Sequence, residues 1–157
     1  VGLAQEQVTR GIAVADIDGD GDLDFALANQ WEPSHLVRND CATCGGFLGL
    51  HLRLPLAPGA ATTARPGHPA QGAPSRPAIG AQATVTLPDG RALHGEVDGG
   101  NGHSGKRSPD LHFGLGHGGT GATLPVTLRW RDPAGRPHEE KLRLTPGWHT
   151  ITLGWNP

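Results

Sequence analysis

Five aspartates alternate with other residues in a nine-residue run near the start of the chain, which we call the acidic loop (residues 16–24). They are Asp16, Asp18, Asp20, Asp22 and Asp24. Two unit charges 4 Å apart repel by about 1 kcal/mol in water and about 4 kcal/mol at an effective dielectric constant of 20. A hard divalent cation reverses that balance, and calcium takes about six to eight oxygen ligands at about 2.3–2.6 Å. The aspartates therefore predict a calcium (Ca2+) site.

The spacing of the aspartates favours a single ion. Carboxylates at loop positions 1, 3 and 5 can converge, and Gly19 and Gly21 permit the sharp turn that brings them together. Magnesium fits less well, because it requires tight octahedral geometry and keeps its waters. A solvated acidic turn without an ion is the alternative. The ligands we expect are the side chains of Asp16, Asp18, Asp20 and Asp24 and the main-chain carbonyl of Asp22.

The acidic loop begins like an EF-hand, D-x-[DN]-x-[DN]-G, and then departs from that pattern. The twelfth position of an EF-hand is Glu, and here it is Leu27. The flanking runs, residues 11–15 and 23–28, are short and apolar, which predicts strands rather than helices. The loop is therefore expected to connect two strands of a β-hairpin.

The rest of the chain also indicates β-structure. Gly (25) and Pro (14) make up about a quarter of the 157 residues, which favours turns and short strands over long helices. We predict about six strands after residue 78 and no helix, the pattern of an all-β sandwich or small barrel. The predicted strands beyond the acidic loop are 36–37, 47–54, 83–87, 92–97, 111–115, 124–130, 141–144 and 148–153.

Two segments stand out between the predicted strands. In 47–54, Leu50 and its alternate neighbours lie on one face, with His51 and Arg53 on the other, which predicts a half-buried strand. Residues 57–78 are rich in Ala, Pro, Gly and Thr and contain no large apolar residue. Such a stretch buries too little surface to offset an ordering entropy of about 1–2 kcal/mol per residue. We predict a flexible insertion there.

Cysteine content and charge limit the function classes. Cys41 and Cys44 form a C-x-x-C, which leaves three readings open: a local disulfide, half of a zinc site with a histidine such as His35, or two free thiols. A disulfide would fit an oxidising compartment.

The net charge of −2 gives no electrostatic case for nucleic acid, and no apolar run approaches the ~18 residues of a membrane span. With no Met and no signal segment, we expect a piece of a longer protein.

The nine histidines and the tryptophans offer weaker candidates. His94, His103, His112 and His117 lie within 24 residues and could form a metal or cofactor site, although exposed positions explain them more simply. Trp130, Trp148 and Trp155 could form a platform for stacking on sugar rings. Trp130 alternates with apolar residues and is expected in the core, while Trp31 and Trp155 are better candidates for a surface contact. Nothing positions a catalytic triad or a phosphate loop.

Two known families resemble parts of the sequence. RGIAVADIDGDGDLD over 10–24, followed by LVRND over 36–40, resembles the calcium loop of FG-GAP/VCBS repeats, the blades of integrin-type β-propellers. The later half resembles the ASPIC/UnbV domain of proteins similar to cartilage acidic protein. Its matching pieces are IGAQATVT over 79–86, Glu96-Val97, residues 99–104, LHFGLG over 111–116 and VTLRW over 126–130. The resemblance implies export, calcium, and adhesion or assembly, and it supplies no catalytic residues.

The sequence also departs from these families. The Cys41–Cys44 segment and residues 57–78 lie outside the pattern, and His103 replaces an expected aromatic residue, usually Tyr. A single propeller blade cannot bury both of its faces alone. We therefore expect the blade to pack on a partner or in a larger assembly, such as one with upstream propeller repeats.

We predict an all-β chain with a blade-like calcium-loop hairpin in 1–45 and an antiparallel β-sandwich in 46–157. The expected function is a non-enzymatic, calcium-stabilised structural or binding module, extracytoplasmic (secreted, periplasmic or at the cell surface). Its partners would be other protein subunits, upstream propeller repeats or surface glycans, without nucleic acid or a membrane span. Two alternatives remain, an accessory metal- or cofactor-binding subunit of a secreted enzyme complex and a carbohydrate-binding module.

Overall fold

The structure, a computed structural model, describes residues 6–41, 43–69, 74–100, 108–117 and 121–156. These residues form two compact units. The first contains the residues up to Thr43 together with Gly100 and Ser108, and the second contains 44–99 and the residues from Pro109 onward. The described part of the chain is built of strands and turns, and it has no helix that could cross a membrane. The all-β prediction is confirmed.

The first unit contains a three-stranded antiparallel sheet, which we call the blade sheet. Its strands are β1 (Thr9–Ala15), β2 (Asp24–Asn29) and β3 (His35–Val37), in the order β1-β2-β3. The pairing of Ala15 with Asp24 closes the hairpin, so the acidic loop connects β1 to β2. The strands predicted on both sides of this loop are present, which sets it apart from the helix-flanked loop of an EF-hand.

The second unit contains two sheets. One has the order β11-β10-β7-β8; in the other, β5-β12-β4-β6 are neighbours and β9 also pairs with β4. Adjacent strands are antiparallel, except that β12 and β4 are parallel. The strands are β4 (Gly46–Pro55), β5 (Thr63–Pro66), β6 (Ser75–Pro77), β7 (Gln82–Thr86), β8 (Ala92–Glu96), β9 (Leu111–Gly116), β10 (Leu124–Arg131), β11 (Pro137–Leu144) and β12 (Gly147–Thr152).

A single hydrophobic core joins these two sheets. Leu50 and Ile151 from one sheet and Val85 and Leu128 from the other are fully buried in the same cluster. Trp130 is 5% exposed and belongs to this core, as its place among alternating apolar residues predicted. The alternation along β10 explains this burial, because every second residue from Leu124 points into the core while the intervening ones remain accessible. The second unit is therefore the predicted β-sandwich.

Strand β4 differs from the prediction of a half-buried strand. Leu50 faces the core, but His51 on the opposite face is also buried, at 6% exposure. The reason is that aromatic side chains from other segments cover this face, with Trp148 stacked on His51 at 4.5 Å between ring centroids. The alternation of apolar and polar residues in β4 gives no sign of this cover.

Residues 57–78 also differ from the predicted flexible insertion, since they include β5 and β6. Strand β5 pairs with β12 and β6 pairs with β4. Strand β5 buries none of its side chains, so backbone hydrogen bonds to a sheet edge hold it in place. Apolar content, on which the prediction rested, does not detect segments that are held in this way.

Candidate metal centre

The acidic loop makes a tight turn that depends on its glycines. Gly19 and Gly21 have φ angles of 82° and 97°, a region that side chains with a Cβ disfavour. Asp16 stabilises the turn from inside, since its Oδ1 accepts the Gly19 N–H at 2.7 Å and its Oδ2 accepts the Gly21 N–H at 2.9 Å. The loop is thus wound around its first carboxylate.

Asp24 holds the base of the loop together and is completely buried. Its Oδ2 accepts the main-chain N–H of Ile17 at 2.9 Å, and its Oδ1 accepts that of Asn39 at 2.8 Å. The carboxylate therefore links the start of the loop to the segment that follows β3. A buried carboxylate is costly without compensating charge, and these two neutral donors supply only hydrogen bonds.

Three of the five predicted ligands converge on one point. Asp16, Asp18 and Asp24 each offer a carboxylate oxygen, and these oxygens all lie within 4.8 Å of one another. Calcium–oxygen distances of about 2.3–2.6 Å allow two ligands on opposite sides of an ion to lie about 5 Å apart. The three carboxylates therefore fit one calcium ion, and their oxygens keep lone pairs for it while they accept the N–H groups of the loop.

Asp20 and Asp22 occupy different places from the other three. Asp20 lies with Asp18 and Asp40 in a second group of carboxylates, whose ligand atoms are also within 4.8 Å of one another. The side chain of Asp22 turns towards the following segment, where its Oδ2 accepts the N–H of Cys41 at 2.8 Å. That Asp20 and the main-chain carbonyl of Asp22 complete the calcium shell stays a prediction.

The electrostatics of the loop are unfavourable around Asp20. The hydrogen bond from the Asp22 N–H lowers the pKa of Asp20. Desolvation and the charges of Asp18, Asp22 and Asp16 outweigh it and raise the pKa above its usual value. A raised carboxyl pKa means that the fold disfavours the charged form. At neutral pH, a cation near Asp20 would remove this penalty.

Arg38 and Asp40 belong to this region and were not among the predicted site residues. The Arg38 guanidinium contacts Asp18 at 3.3 Å and Asp40 at 2.6 Å. The hydrogen bond and charge of Asp40 raise the pKa of Arg38. Because its side chain is 60% exposed, solvent screens these ion pairs and they add little to the stability of the loop. The RND segment at 38–40 is the sequence signal that could have revealed both residues.

The two cysteines form a disulfide, the first of the three readings left open by the sequence. The zinc half-site with His35 is therefore wrong, because a disulfide removes the thiolates that would bind zinc. His35 instead contacts Gln7, with 3.1 Å between its Nε2 and the Gln7 amide nitrogen. Cys41, whose N–H the Asp22 carboxylate accepts, is one of the two bridged residues.

The other histidine candidates do not assemble into one centre in the described part of the chain. Among those residues, the groups of three metal-ligating side chains contain no histidine. His94 contacts Thr84 at 3.0 Å, and the His112 ring stacks on Phe47. His117 is exposed, and His103 lies outside the described residues.

The two tryptophans proposed for a surface contact have different surroundings. Trp31 is 90% exposed and has a positive φ of 62°. Trp155 packs partly buried against the sandwich core, and its indole N–H donates to the Pro55 carbonyl at 3.2 Å. Of the two, Trp31 presents its ring to solvent.

A blade sheet that carries an acidic loop and a β-sandwich together define a modular class of all-β proteins. The model of the family described as ASPIC and UnbV matches residues 71–156, more than half of the chain. The chain therefore belongs to the ASPIC and UnbV family. The model of the FG-GAP repeat matches residues 8–40, which include β1, the acidic loop, β2 and β3. The resemblance seen in the sequence is confirmed, in the expected order. A search of curated proteins found no match.

Proposed function

We propose that this chain is a calcium-stabilised, non-enzymatic module that works outside the cytoplasm and holds protein subunits together. The observation that carries the proposal is the convergence of Asp16, Asp18 and Asp24 on one point. A divalent ion there compensates the buried Asp24 carboxylate and offsets the desolvation and the repulsion that raise the pKa of Asp20. The blade sheet then keeps the shape in which it meets a partner.

The blade sheet leaves apolar side chains exposed on both of its faces. Ile12 pairs with Leu27 and Val14 pairs with Phe25, so these residues share one face. Ile12 is 54% exposed and Val14 is 37% exposed. Leu36 alternates to the opposite face and is 65% exposed. Contiguous exposed apolar residues mark interaction sites.

A groove of about 370 Å³ follows the apolar surface of the blade sheet. Its lining is mainly alanine, leucine and isoleucine side chains, so a partner with an apolar face fits it. A second β-sheet of the same kind is the natural occupant, since the FG-GAP match assigns this unit to a repeat that stacks with its neighbours. We expect other FG-GAP repeats, within an assembly of protein subunits, to cover this surface.

Two observations support a location outside the cytoplasm, and the proposed calcium site is consistent with it. FG-GAP repeats are typical of extracellular proteins, and one matches residues 8–40. The Cys41–Cys44 disulfide is of a kind that persists in oxidising compartments. Free calcium is also plentiful there, which suits the proposed calcium site.

The Ile12→Glu substitution tests the proposed interface. A charge in the centre of an apolar contact is expected to weaken binding of the chain to an immobilised tandem array of FG-GAP repeats by more than about tenfold, or about 1.4 kcal/mol. Biosensor measurements in excess calcium give the affinity. Ile79→Glu is the matched control, because Ile79 lies in the second unit and is 52% exposed. Equal affinities for wild type and Ile12→Glu would contradict the interface.

A further inference from the structure

A cluster of aromatic and histidine side chains covers the sandwich face that points away from the core. In β4, Leu48 and Leu50 face the core, whereas Gly49 and His51 face outward. The Trp148 indole lies over Gly49, where a Cβ would collide with the ring. His51 stacks on the same indole at 4.5 Å between ring centroids. The absence of a side chain at Gly49 is what lets the indole lie flat beside His51.

His51 is held between a carboxylate and a second histidine. Its Nδ1 lies 2.6 Å from Asp110 Oδ1, and its Nε2 lies 3.0 Å from His68 Nδ1. An ionised carboxylate only accepts hydrogen bonds, so we place a proton on His51 Nδ1, which donates to Asp110. The Nε2 atom of His51 then carries a lone pair, and one proton is shared between it and His68 Nδ1.

We propose that His51 Nε2 and His68 Nδ1 bind a first-row transition metal ion, Zn2+ or Cu2+, in place of the proton that they share. Nitrogen ligands lie about 2.0–2.1 Å from zinc, so two neighbouring ligands are separated by about 2.9–3.4 Å. The observed separation of 3.0 Å lies within this interval. When the ion binds, the proton on His68 Nδ1 moves through solvent to the exposed Nε2 of the same ring, so both imidazoles remain neutral ligands and no net proton is lost.

Asp110 is the positioning residue of this site. Histidines that bind metals donate their second ring N–H to a carboxylate or carbonyl, which fixes the tautomer and raises the basicity of the ligand. The 2.6 Å contact between Asp110 and His51 Nδ1 has this geometry. The His51 side chain is 7% exposed and the Asp110 side chain 22% exposed, so the pair keeps its arrangement without a metal.

The chain around His68 is also fixed by hydrogen bonds. Gly67 donates its N–H to the Trp148 carbonyl at 2.7 Å, and its own carbonyl accepts the Thr150 hydroxyl at 2.8 Å. Arg65 donates to the His68 carbonyl at 2.9 Å. Both nitrogen ligands are thus held in place beforehand, a condition for tight binding. His68 is exposed, so an ion can enter from its side, and water completes the coordination shell.

This site is independent of the proposed calcium site. Its donors are imidazole nitrogens, which suit zinc and copper, whereas the acidic loop offers carboxylate oxygens, which suit calcium. Its residues all lie in the second unit. Saturating calcium therefore occupies the acidic loop during a titration with zinc. The titration can then disprove the zinc site without bearing on the proposed calcium site, and a calcium titration can do the reverse.

Calorimetric titration of the full chain with Zn2+ in excess calcium tests the proposal. We expect one saturable zinc site, weakened more than tenfold by His68→Ala and about 10- to 100-fold by Asp110→Asn. His68 is exposed, so its removal leaves the fold intact, which circular dichroism verifies. His94→Ala is the control, since His94 is an exposed histidine on the other sheet. It should bind zinc like wild type.

Quenching of tryptophan fluorescence by Cu2+ locates the ion. Copper bound between His51 and His68 lies close to Trp148, whose ring centroid is 5.2 Å from that of His68. Trp148→Phe should therefore remove the saturable quenching. Unchanged zinc affinity in His68→Ala, an equal loss in His94→Ala, or quenching that persists in Trp148→Phe would overturn the proposal.

Discussion

Replacing Asp24 with alanine is expected to unfold the blade sheet while the sandwich stays folded. The substitution leaves the N–H groups of Ile17 and Asn39 without their acceptor, at a cost of about 1–3 kcal/mol each when they are kept from water. It also removes one of the three converging carboxylates. The sum, roughly 2–6 kcal/mol, is comparable to the stability of a whole small domain. Amide hydrogen exchange would show the loss as lost protection in β1 and β2.

Asp20→Ala is the matched control for this prediction, because it removes a carboxylate from the same loop at an exposed position. The raised pKa of Asp20 means that its charge destabilises the ion-free fold at neutral pH. In chelator, Asp20→Ala should therefore protect β1 and β2 at least as well as wild type. If both variants lose protection equally in chelator, Asp24 does not have the structural role described above.

Removing calcium is expected to have the second large effect. An ion present at 100 times its dissociation constant stabilises the folded state by about 2.7 kcal/mol. For a unit of this size, that loss lowers the melting temperature by roughly 10 °C or more. Thermal melting with and without excess chelator measures the shift. Added calcium should restore the melting temperature, and magnesium should restore it only weakly, since it holds its waters and requires octahedral geometry.

Asp18→Ala provides the residue-level version of the same experiment. Asp18 belongs to both groups of converging carboxylates, so its removal leaves the others short of a ligand for the ion. The variant should melt at the temperature of chelated wild type, and calcium should not raise it. A variant that responds to calcium as strongly as wild type would remove Asp18 from the ligand set.

Local patterns were enough to predict most strands. The alternation in β10 and the turn glycines of the acidic loop are properties of neighbouring residues, and the structure follows them. The burial of His51 was missed because it depends on Trp148 and His68, which reach it only through the fold. Strands β5 and β6 were missed because edge pairing uses the backbone, which has no sequence signature.

The candidate site, like the fold, could be predicted only in part from the sequence. Density and spacing of charge singled out the five aspartates, because those features are local. The sequence could not reveal the hydrogen bond from the Asn39 N–H that closes the loop, since any residue except proline supplies that donor. Asp20 lies with Asp18 and Asp40, and the Asp22 side chain turns to the Cys41 amide; neither placement follows from spacing within the loop.

Calorimetric titration of the chelator-treated chain with calcium tests the central claim most directly. One ion per chain is expected to bind, saturably and with oxygen ligands from the acidic loop, and Asp18→Ala should abolish the heat of binding. Absence of saturable calcium binding to the folded wild-type chain, or binding that Asp18→Ala leaves intact, would contradict the account.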